Sequence, residues 1–360
     1  MFLRFMAGNL SGAGNSLCRP PSSPNAAMLI SLSVLRKDGW LVHGRFSPGW
    51  DGFIDFSPDQ LSGAASNVPL SVDILSAGGS PSRIRQLQSP DGWSLDTSYL
   101  NSHLRARGGF QRGSVVVLMP TRPADATICN IPLEPGVVLV MPDGQDIFAS
   151  IRPGAGYTAA VLPTETWLDI REAATGLHGG MPRAPVAIRL STPGYQSVMR
   201  HMTRLPTRLD GGDAREQAWC MPAALAAYLC AIAEASVDSE TAERQLDRSL
   251  RNRLDQAWKA DEFIRAHLNE NLSVMRICRE FRLSRRQLEY AFRTAFDIGP
   301  AQYVHLTRLN ESRRRLKSAR LTGQSVTDVA MDTGITHLGR FATSYRRLFA
   351  ESPSETLRAG

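Results

Sequence analysis

Apolar residues near the end of the chain recur every three or four positions, with polar residues between them. In the segment GITHLGRFATSYRRLF, residues 334–349, the apolar positions are Leu338, Phe341, Tyr345, Leu348 and Phe349. This spacing places them on one stripe of an α-helix that packs against a core. Thr336 stands where an N-cap is expected, and Gly334 stands where a tight turn is expected. The pattern predicts a short helix with a basic outer face.

The preceding segment, SVTDVAMDTG, predicts a second helix. Its apolar face is formed by Val326, Val329 and Ala330, and Ser325 with Asp328 makes an S-x-x-D start signal. Two short helices joined by a turn that contains glycine are typical of a helix-turn-helix unit. The second helix of such a unit enters a groove of DNA.

The same pattern occurs earlier, in SVMRICREFRLSRRQLEYAFRTAF. Ser284 and Gln287 form an S-x-x-Q capping box between two apolar stripes. The stripes consist of Val274, Ile277, Cys278 and Phe281, followed by Leu288, Phe292 and Phe296. The chain is therefore predicted to contain two helix-turn-helix units, at about 274–296 and 325–349, and Cys278 is expected in the core.

A long helix is predicted between the two units. Gly299 is its expected N-cap, Pro300 its first residue and Ser318 its last, so it has 19 residues and a length of about 28 Å. We call it the strut. Because one turn of B-DNA is about 34 Å long, the strut is expected to hold the two recognition helices in successive major grooves. Its inward positions are Leu309, Ser312 and Leu316, and its outward positions are Arg313, Arg314 and Arg315.

Three segments resemble the AraC/XylS family of bacterial transcription regulators: LSRRQLEYAF, RLNESRRRL and SVTDVAMDTGITHLGRFATSYRRLFAESPSETLR. The resemblance covers about residues 252–358, and the closing segment is most similar to the branch that contains the ethanolamine-utilisation regulator. It implies an AraC-type DNA-binding domain at 252–360 and an activator rather than a repressor. Four positions depart from the family pattern: Asp297 and Ala350 replace glycines that follow the recognition helices, Ile335 replaces an aromatic residue, and Ser312 replaces alanine.

The polar faces of the two recognition helices supply the predicted DNA contacts. Arg286 and Arg340 lie near the helix starts, where side chains reach base edges, whereas Arg346 is better placed for phosphate. Glu289 either accepts from a cytosine amine or pairs with Arg285 or Arg293 within its helix. The full predicted set is Ser284, Arg285, Arg286, Gln287, Glu289, Tyr290, Arg293, Thr336, His337, Gly339, Arg340, Thr343 and Arg346.

The distribution of charge supports a nucleic-acid partner. The formal net charge is +7, and residues 251–360 contain 20 Lys and Arg against 12 Asp and Glu. Residues 1–250 contain 21 against 22, so the basic excess lies where the helix-turn-helix units lie. A membrane-surface helix would leave an apolar face exposed, but here the packing stripes use those residues.

The N-terminal part has a different pattern. The apolar runs SVVVLM, GVVLVM and YTAAVL, separated by PTRP, EPG, PDG and RPGAG, predict an antiparallel sheet or barrel. The family resemblance implies a cupin-like barrel or jelly roll, which makes the whole chain α+β. We expect a disordered tail at 1–27, an effector-sensing and dimerisation domain at 28–237, and a linker at 238–251. Residues 216–235 predict one or two helices broken near Pro222, for a subunit contact or for packing on their own barrel.

Neither a metal site nor a cofactor is expected. The seven histidines include no H-x-H or H-x-x-x-H pair, and the five cysteines include no C-x-x-C pair and fit reduced thiols. No dinucleotide fingerprint, no nucleophile elbow and no membrane-length apolar run is present. We expect a cytoplasmic protein.

The sequence thus favours a sequence-specific transcription factor that is not an enzyme. Its expected partners are double-stranded promoter or operator DNA, a small-molecule effector, a second copy of the chain and RNA polymerase, with no membrane. One alternative is a non-specific architectural DNA binder. Another is a DNA-repair methyltransferase with a similar DNA-binding module, which needs an activated thiol; Cys18 lies beside Arg19, but no cysteine cluster accompanies it.

Overall fold

The computed structural model has a β-rich N-terminal part and a helical C-terminal part, which confirms the α+β prediction. The predicted tail 1–27 and residues 238–247 of the predicted linker lie outside the described residues, as do Cys18 and Cys220. The structure describes residues 54–56, 70–76, 81–88, 94–109, 112–122, 125–209, 226–236 and 248–359.

Twelve strands are described, and every pairing among them is antiparallel. One sheet has the order β1-β3-β4-β11-β6-β9-β12, and the other has the order β2-β5-β10-β7-β8. The strands are β1 Ile54–Phe56, β2 Leu70–Ser76, β3 Ser82–Gln88, β4 Ser94–Leu100, β5 His103–Gly109, β6 Ser114–Arg122, β7 Ala126–Ile128, β8 Ile131–Pro132, β9 Val137–Met141, β10 Asp146–Ile151, β11 Ala155–Pro163 and β12 Val186–Arg189.

The two sheets pack face to face, and alternation along the strands divides the core. On β6, Val116 and Leu118 join the apolar cluster between the sheets, whereas Val115 and Val117 join a second cluster on the outside of the larger sheet. Three helices cover that outer face: α1 Thr164–Thr175, α2 Thr192–Leu209 and α3, residues 226–236. The described part of the predicted 216–235 helix therefore packs on its own sandwich.

The three predicted β runs are confirmed as β6, β9 and β11, but one predicted turn is wrong. The segment PTRP was expected to end a strand, yet β6 continues through Pro120 to Arg122. Strand β9 pairs with β6 only over residues 116–118. Because Pro120 lies beyond that pairing, its missing N–H costs no ladder hydrogen bond on that side.

The C-terminal part contains seven helices in the described range. They are α4 Arg248–Ala266, α5 Val274–Phe281, α6 Arg285–Phe296, α7 Pro300–Thr322, α8 Val326–Asp332, α9 Leu338–Phe349 and α10 Pro353–Ala359. Helix pairs α5–α6 and α8–α9 are the two predicted units, and α7 is the strut. The strut ends four residues later than predicted, at the left-handed Gly323, so its 23 residues span about 34 Å. Helix α4 begins inside the span predicted as linker.

The strut's inward positions are as predicted, but its arginines are not simply outward. Leu309, Ser312 and Leu316 are buried, and the Ser312 hydroxyl lies 2.8 Å from that of Thr333, which accounts for serine at this position. Arg313 pairs with Glu351 at 2.6 Å, and its side chain is only 12% exposed. In the structure Arg313 lies beside the α9–α10 junction, where Glu351 is located. The sequence pattern alone does not show that contact.

The two helix-turn-helix units are fixed to each other through the turn at Gly334. Arg308 of the strut donates to the backbone carbonyls of Leu268 at 3.2 Å and Glu270 at 2.8 Å, in the loop between α4 and α5. Gly334, with φ +74°, sits directly on this loop. A Cβ there would overlap the Leu268 carbonyl oxygen and would lie 2.9 Å from the Arg308 guanidinium. The second unit therefore rests on the first.

We expect Gly334→Ala to lower the free energy of unfolding by about 2–5 kcal/mol, since it adds a backbone overlap to left-handed strain. The matched control is Gly323→Ala, which has nearly the same φ, +70°, but nothing within 4 Å of the new Cβ. It should cost about 1–2 kcal/mol, from strain alone. Urea unfolding of the two variants measures the difference. Equal losses of unfolding free energy would show that the Gly334 turn can accommodate a Cβ atom.

Candidate nucleic-acid interface

The first recognition helix, α6, begins with the predicted capping box. The Ser284 hydroxyl accepts from the backbone N–H of Gln287 at 3.2 Å, and the Gln287 carboxamide oxygen accepts from the backbone N–H of Ser284 at 2.8 Å. These bonds satisfy donors that a helix start leaves unpaired. Both side chains are exposed, but their first task is to hold the helix start in place.

Arg286 and Tyr290 form a pair on the exposed side of α6. An Arg286 Nη2 donates to the Tyr290 hydroxyl at 3.1 Å, and the guanidinium lies 5.3 Å from the ring centroid. Tyr290 is 49% exposed, which is unusual for so large a ring. This contact restricts the rotamers of Arg286 and directs its remaining donors outward.

Glu289 and Arg293 are arranged differently. Arg293 Nε donates to Glu289 Oε1 at 3.2 Å, and a Cβ on Gly299 would lie 2.8 Å from that oxygen. The carboxylate therefore faces the start of the strut. This arrangement favours the intrahelical pairing of Glu289 with Arg293 over contact with a base.

The second recognition helix, α9, starts without a side-chain cap. Thr336 was predicted as the N-cap, but the N-cap is His337, whose side chain makes no capping bond. The His337 carbonyl accepts from the N–H of Phe341 at 3.0 Å, so the helical turn begins one residue later than predicted. The first N–H groups of α9 are left without a side-chain acceptor and can bind an anion. Thr336, His337, Gly339, Arg340 and Thr343 are all exposed at this end.

A surface groove of about 540 Å³ runs beside the second half of α9. It is lined by Ala342, Thr343, Arg346, Arg347 and Ser352. Arg347 was not among the predicted contacts, although it adjoins Arg346 and is exposed. Glu355 lies close by: hydrogen bonds from the backbone and side chain of Ser352, with smaller contributions from Arg346 and Arg358, lower the pKa of its carboxyl group.

Several exposed arginines on and beside these two faces differ from the ion-paired arginines elsewhere in the domain. Arg276, Arg313 and Arg314 pair with carboxylates. Within the described part of the chain, Arg285, Arg340 and Arg347 have no ion-pair partner. Uncompensated guanidinium groups on one surface are what a polyanionic backbone requires.

Among the described residues, no group of three or more His, Cys, Asp or Glu side chains is placed to hold a metal ion. No described helix is both long and apolar enough to cross a membrane.

Two capped helix pairs on one strut, each presenting a basic second helix, define a double helix-turn-helix DNA-binding domain. Residues 277–359 match a family model described as a helix-turn-helix domain. A XylDLEGF operon transcriptional activator from Pseudomonas putida is 36% identical over 97 residues, which cover 27% of this chain and 30% of that protein. A probable thc operon regulatory protein from Rhodococcus erythropolis is 32% identical over 99 residues, covering 28% and 30%. The C-terminal region is therefore a helix-turn-helix domain of the AraC type, similar to the matching regions of these regulators.

The match spans about 30% of the length of these curated relatives. Among solved structures, an AraC-type regulator from Chromobacterium violaceum is 27% identical, covering 30% of this chain and 94% of that chain, with a TM-score of 0.28. The AraC-like transcriptional activator CuxR is 14% identical, covering 75% and 92%, with a TM-score of 0.33. The family prediction is confirmed for the C-terminal region; its placement in the ethanolamine-utilisation branch and the individual DNA contacts stay predictions.

The ends of the recognition helices allow a test of local strain. Asp297 and Ala350, where the family has glycine, are both left-handed, with φ +55° and +61°. We expect Ala350→Gly to raise the free energy of unfolding by about 0.5–1 kcal/mol, because glycine adopts this conformation without a Cβ penalty. Ala342→Gly, an exposed position inside the same helix, should lower it by about 0.5–1 kcal/mol. Thermal unfolding measures both; a loss of stability in Ala350→Gly would contradict the assignment of strain.

Proposed function

We propose that the protein is a sequence-specific, effector-responsive transcription activator. The single observation that carries the proposal is the pair of exposed recognition faces on which Arg285 and Arg340 have no carboxylate partner among the described residues, on two units fixed together at Gly334. A fixed pair of basic helices suits two nearby half-sites. If the two helices moved independently, ordering them on the DNA would reduce the binding affinity. The partner is double-stranded promoter or operator DNA.

Specific recognition is favoured over purely architectural binding by the constraint on Arg286. A guanidinium held by Tyr290 presents its donors in one direction, which suits bidentate bonding to guanine O6 and N7. A surface that only neutralises phosphates gains nothing from such a constraint. Glu289 contributes less to this choice, because its carboxylate is paired with Arg293.

We expect Arg286→Ala and Arg340→Ala each to weaken binding to the preferred duplex by about 1–3 kcal/mol and to relax base preference at separate positions of the site. The measurement is a fluorescence titration with a duplex selected from a random pool and with a scrambled duplex of the same length. Losses that are equal for both duplexes would mean that these arginines hold only the backbone.

The matched comparison in the same titrations is Arg346→Ala. Its groove position beside Arg347 suits a phosphate contact, so affinity should fall on both duplexes alike. The slope of log affinity against log salt concentration should become shallower by about one unit. A base-specific loss for Arg346→Ala would reverse the two assigned roles.

We assign effector binding to the N-terminal sandwich, and dimerisation to the same domain. Asp96 pairs in register with Ala159 and Ser98 with Tyr157, so these polar side chains share the face that packs between the sheets. Burial, the largest influence, raises the pKa of Tyr157 to about 12. Polar groups in such a core are suited to binding a small polar ligand. RNA polymerase follows as a partner from the activator role.

A screen of amines, amino acids, sugars and aromatic acids tests this assignment. The right compound should raise the melting temperature of the full chain by linkage of binding to folding. Asp96→Asn should abolish the shift without changing DNA affinity. A melting-temperature shift that persists in Asp96→Asn would place the ligand elsewhere. If no class of compound shifts the melting temperature, the sandwich would serve only for dimerisation.

The three thiols that the structure describes, Cys129, Cys230 and Cys278, give no support to a repair enzyme. Burial raises the pKa of Cys129, and burial with the nearby Glu234 raises the pKa of Cys230 to about 11. A nucleophilic thiol requires the opposite shift. Cys278 is buried in the helical core. We therefore propose a regulator without catalytic activity.

A further inference from the structure

The outer face of the five-stranded sheet carries charged side chains that are buried. On β5, Leu104 and Ala106 point into the core between the sheets, so Arg105 and Arg107 point outward by strand alternation. On β2, Asp73 points outward between Val72 and Ile74. This outer face packs against helices α4 and α7 of the DNA-binding domain.

One carboxylate of α4 collects three partners at this contact. Arg105 of the sheet forms an ion pair with Asp261, and the two side chains are 1% and 0% exposed. The Tyr303 hydroxyl of the strut donates to Asp261 Oδ1 at 2.6 Å. Arg265 Nε donates to the same oxygen at 2.8 Å. Asp261 thus joins the sheet, α4 and the strut.

A second carboxylate, Asp73 of β2, makes the reciprocal contact. It pairs with Arg265 of α4, and it accepts from Arg314 Nη1 of the strut at 2.7 Å. Burial alone would raise the pKa of Asp73, but Arg265, Arg314 and Arg105 together hold it below its usual value. The carboxylate is therefore charged, fully buried and dependent on arginines from the other domain.

The strut also pairs directly with the backbone of β2. Asn310 Oδ1 accepts from the N–H of Ile74 at 2.9 Å, and Asn310 Nδ2 donates to the carbonyl of Ile74 at 2.9 Å. Strand β2 is the outermost described strand on that side of its sheet. The side chain of Asn310 therefore replaces a neighbouring strand at one residue, and it fixes the strut to a single position along β2.

The sheet reaches the first recognition helix at its C-terminal end. Arg152, just after β10, pairs with Asp297, the residue that ends α6. The start of α6, which carries Arg286, lies at the opposite end of that helix. This ion pair therefore holds α6 at the end away from its proposed DNA-reading residue.

Buried ion pairs of this kind permit few intermediate arrangements. Separating the two domains without hydrating them would leave isolated charges in an apolar setting, which is strongly unfavourable. The interface is thus either docked with all partners in place or open to water. Two discrete arrangements are what a coupling element needs.

We propose that Asp73, Arg105, Asp261, Arg265, Asn310 and Arg314 form a clamp through which strands β2 and β5 couple ligand binding between the sheets to DNA binding by the helical domain. The proposal rests on the proposed function for the identity of the two ligands. The same strands line the inter-sheet core with one face and hold the clamp with the other. By thermodynamic reciprocity, DNA bound to the helical domain must then alter the stability of β2 and β5.

The first arm of the test needs no ligand. Arg314 and Arg315 both pair with Glu311 and are 39% and 41% exposed, but only Arg314 reaches Asp73. Hydrogen exchange of the full chain should show amides of β2 and of the middle of the strut exchanging about threefold faster in Arg314→Gln and unchanged in Arg315→Gln. Equal exchange in the two variants would overturn the clamp.

A stronger pair of variants tests the buried carboxylate. Asp73→Asn should raise exchange in β2 and the strut by about tenfold or more. Asp146→Asn, on the same sheet, removes an exposed partner of Arg107 and should leave the strut unchanged. Should Asp73→Asn fail to fold, the Arg314→Gln and Arg315→Gln comparison decides the matter alone.

The second arm adds the duplex selected from the random pool. In the wild-type chain, saturation with this duplex should change exchange in β2 and β5, and in Arg314→Gln that change should shrink while the duplex still binds. Exchange in β2 and β5 that is indifferent to bound duplex would overturn the coupling even though the protein binds DNA. A chain that binds no duplex would overturn the proposed function and the coupling to DNA, while the first arm would still report on the clamp as an interface.

Discussion

The carboxylate of Asp261 is the contact on which the arrangement of the helical domain depends. It ties α4 to the strut through Tyr303, whose ring stacks on Phe296 with centroids 4.4 Å apart. Phe296 in turn meets Trp258 of α4, which packs on Phe148 of the sheet. The first recognition helix is therefore positioned by a buried charge and by a row of four aromatic rings in successive contact.

A buried charge of this kind stabilises only when all of its partners are present, because the desolvation cost is met by several bonds at once. This explains why a residue of the sheet, Arg105, belongs to the core of what is otherwise a separate domain. The bonds that complete the helical core also fix the orientation of the β-sandwich relative to it.

Much of the helical domain could be predicted because its signals are local. Helical periodicity located α5, α6, α8 and α9, and two capping boxes, each spanning four residues, marked the starts of α6 and α8. The errors were also local: α9 starts after His337 and not after Thr336, since periodicity fixes the face of a helix better than its first residue. Three strands, β6, β9 and β11, were recognised as apolar runs, but the pairing order was not, because register depends on contacts between distant segments.

The charged contacts between the sheet and the helical domain could not be predicted. Arg105 and Asp261 are 156 positions apart, and Asp73 and Arg314 are 241 positions apart. In sequence each looks like an ordinary surface charge on a strand or helix. For Glu289 the local rule was the better guide, since pairing four residues along the helix accounts for its position. In the sequence, only its positive charge suggested a DNA contact for Arg347. The groove that it lines forms only when α9 and α10 pack together.

The two-sided use of β5 has an evolutionary consequence. Along this strand the side chains alternate: one set packs in the interior of the sandwich, and the other set contacts the helical domain. Substitutions can therefore be accommodated on one face without changing the other. A one-residue insertion or deletion would exchange the faces, bringing Leu104 against Asp261 and a guanidinium between the sheets. The strand can therefore tolerate substitutions but not insertions or deletions. If the sandwich were joined to another helical domain, that domain would need residues that match the outer face of β5.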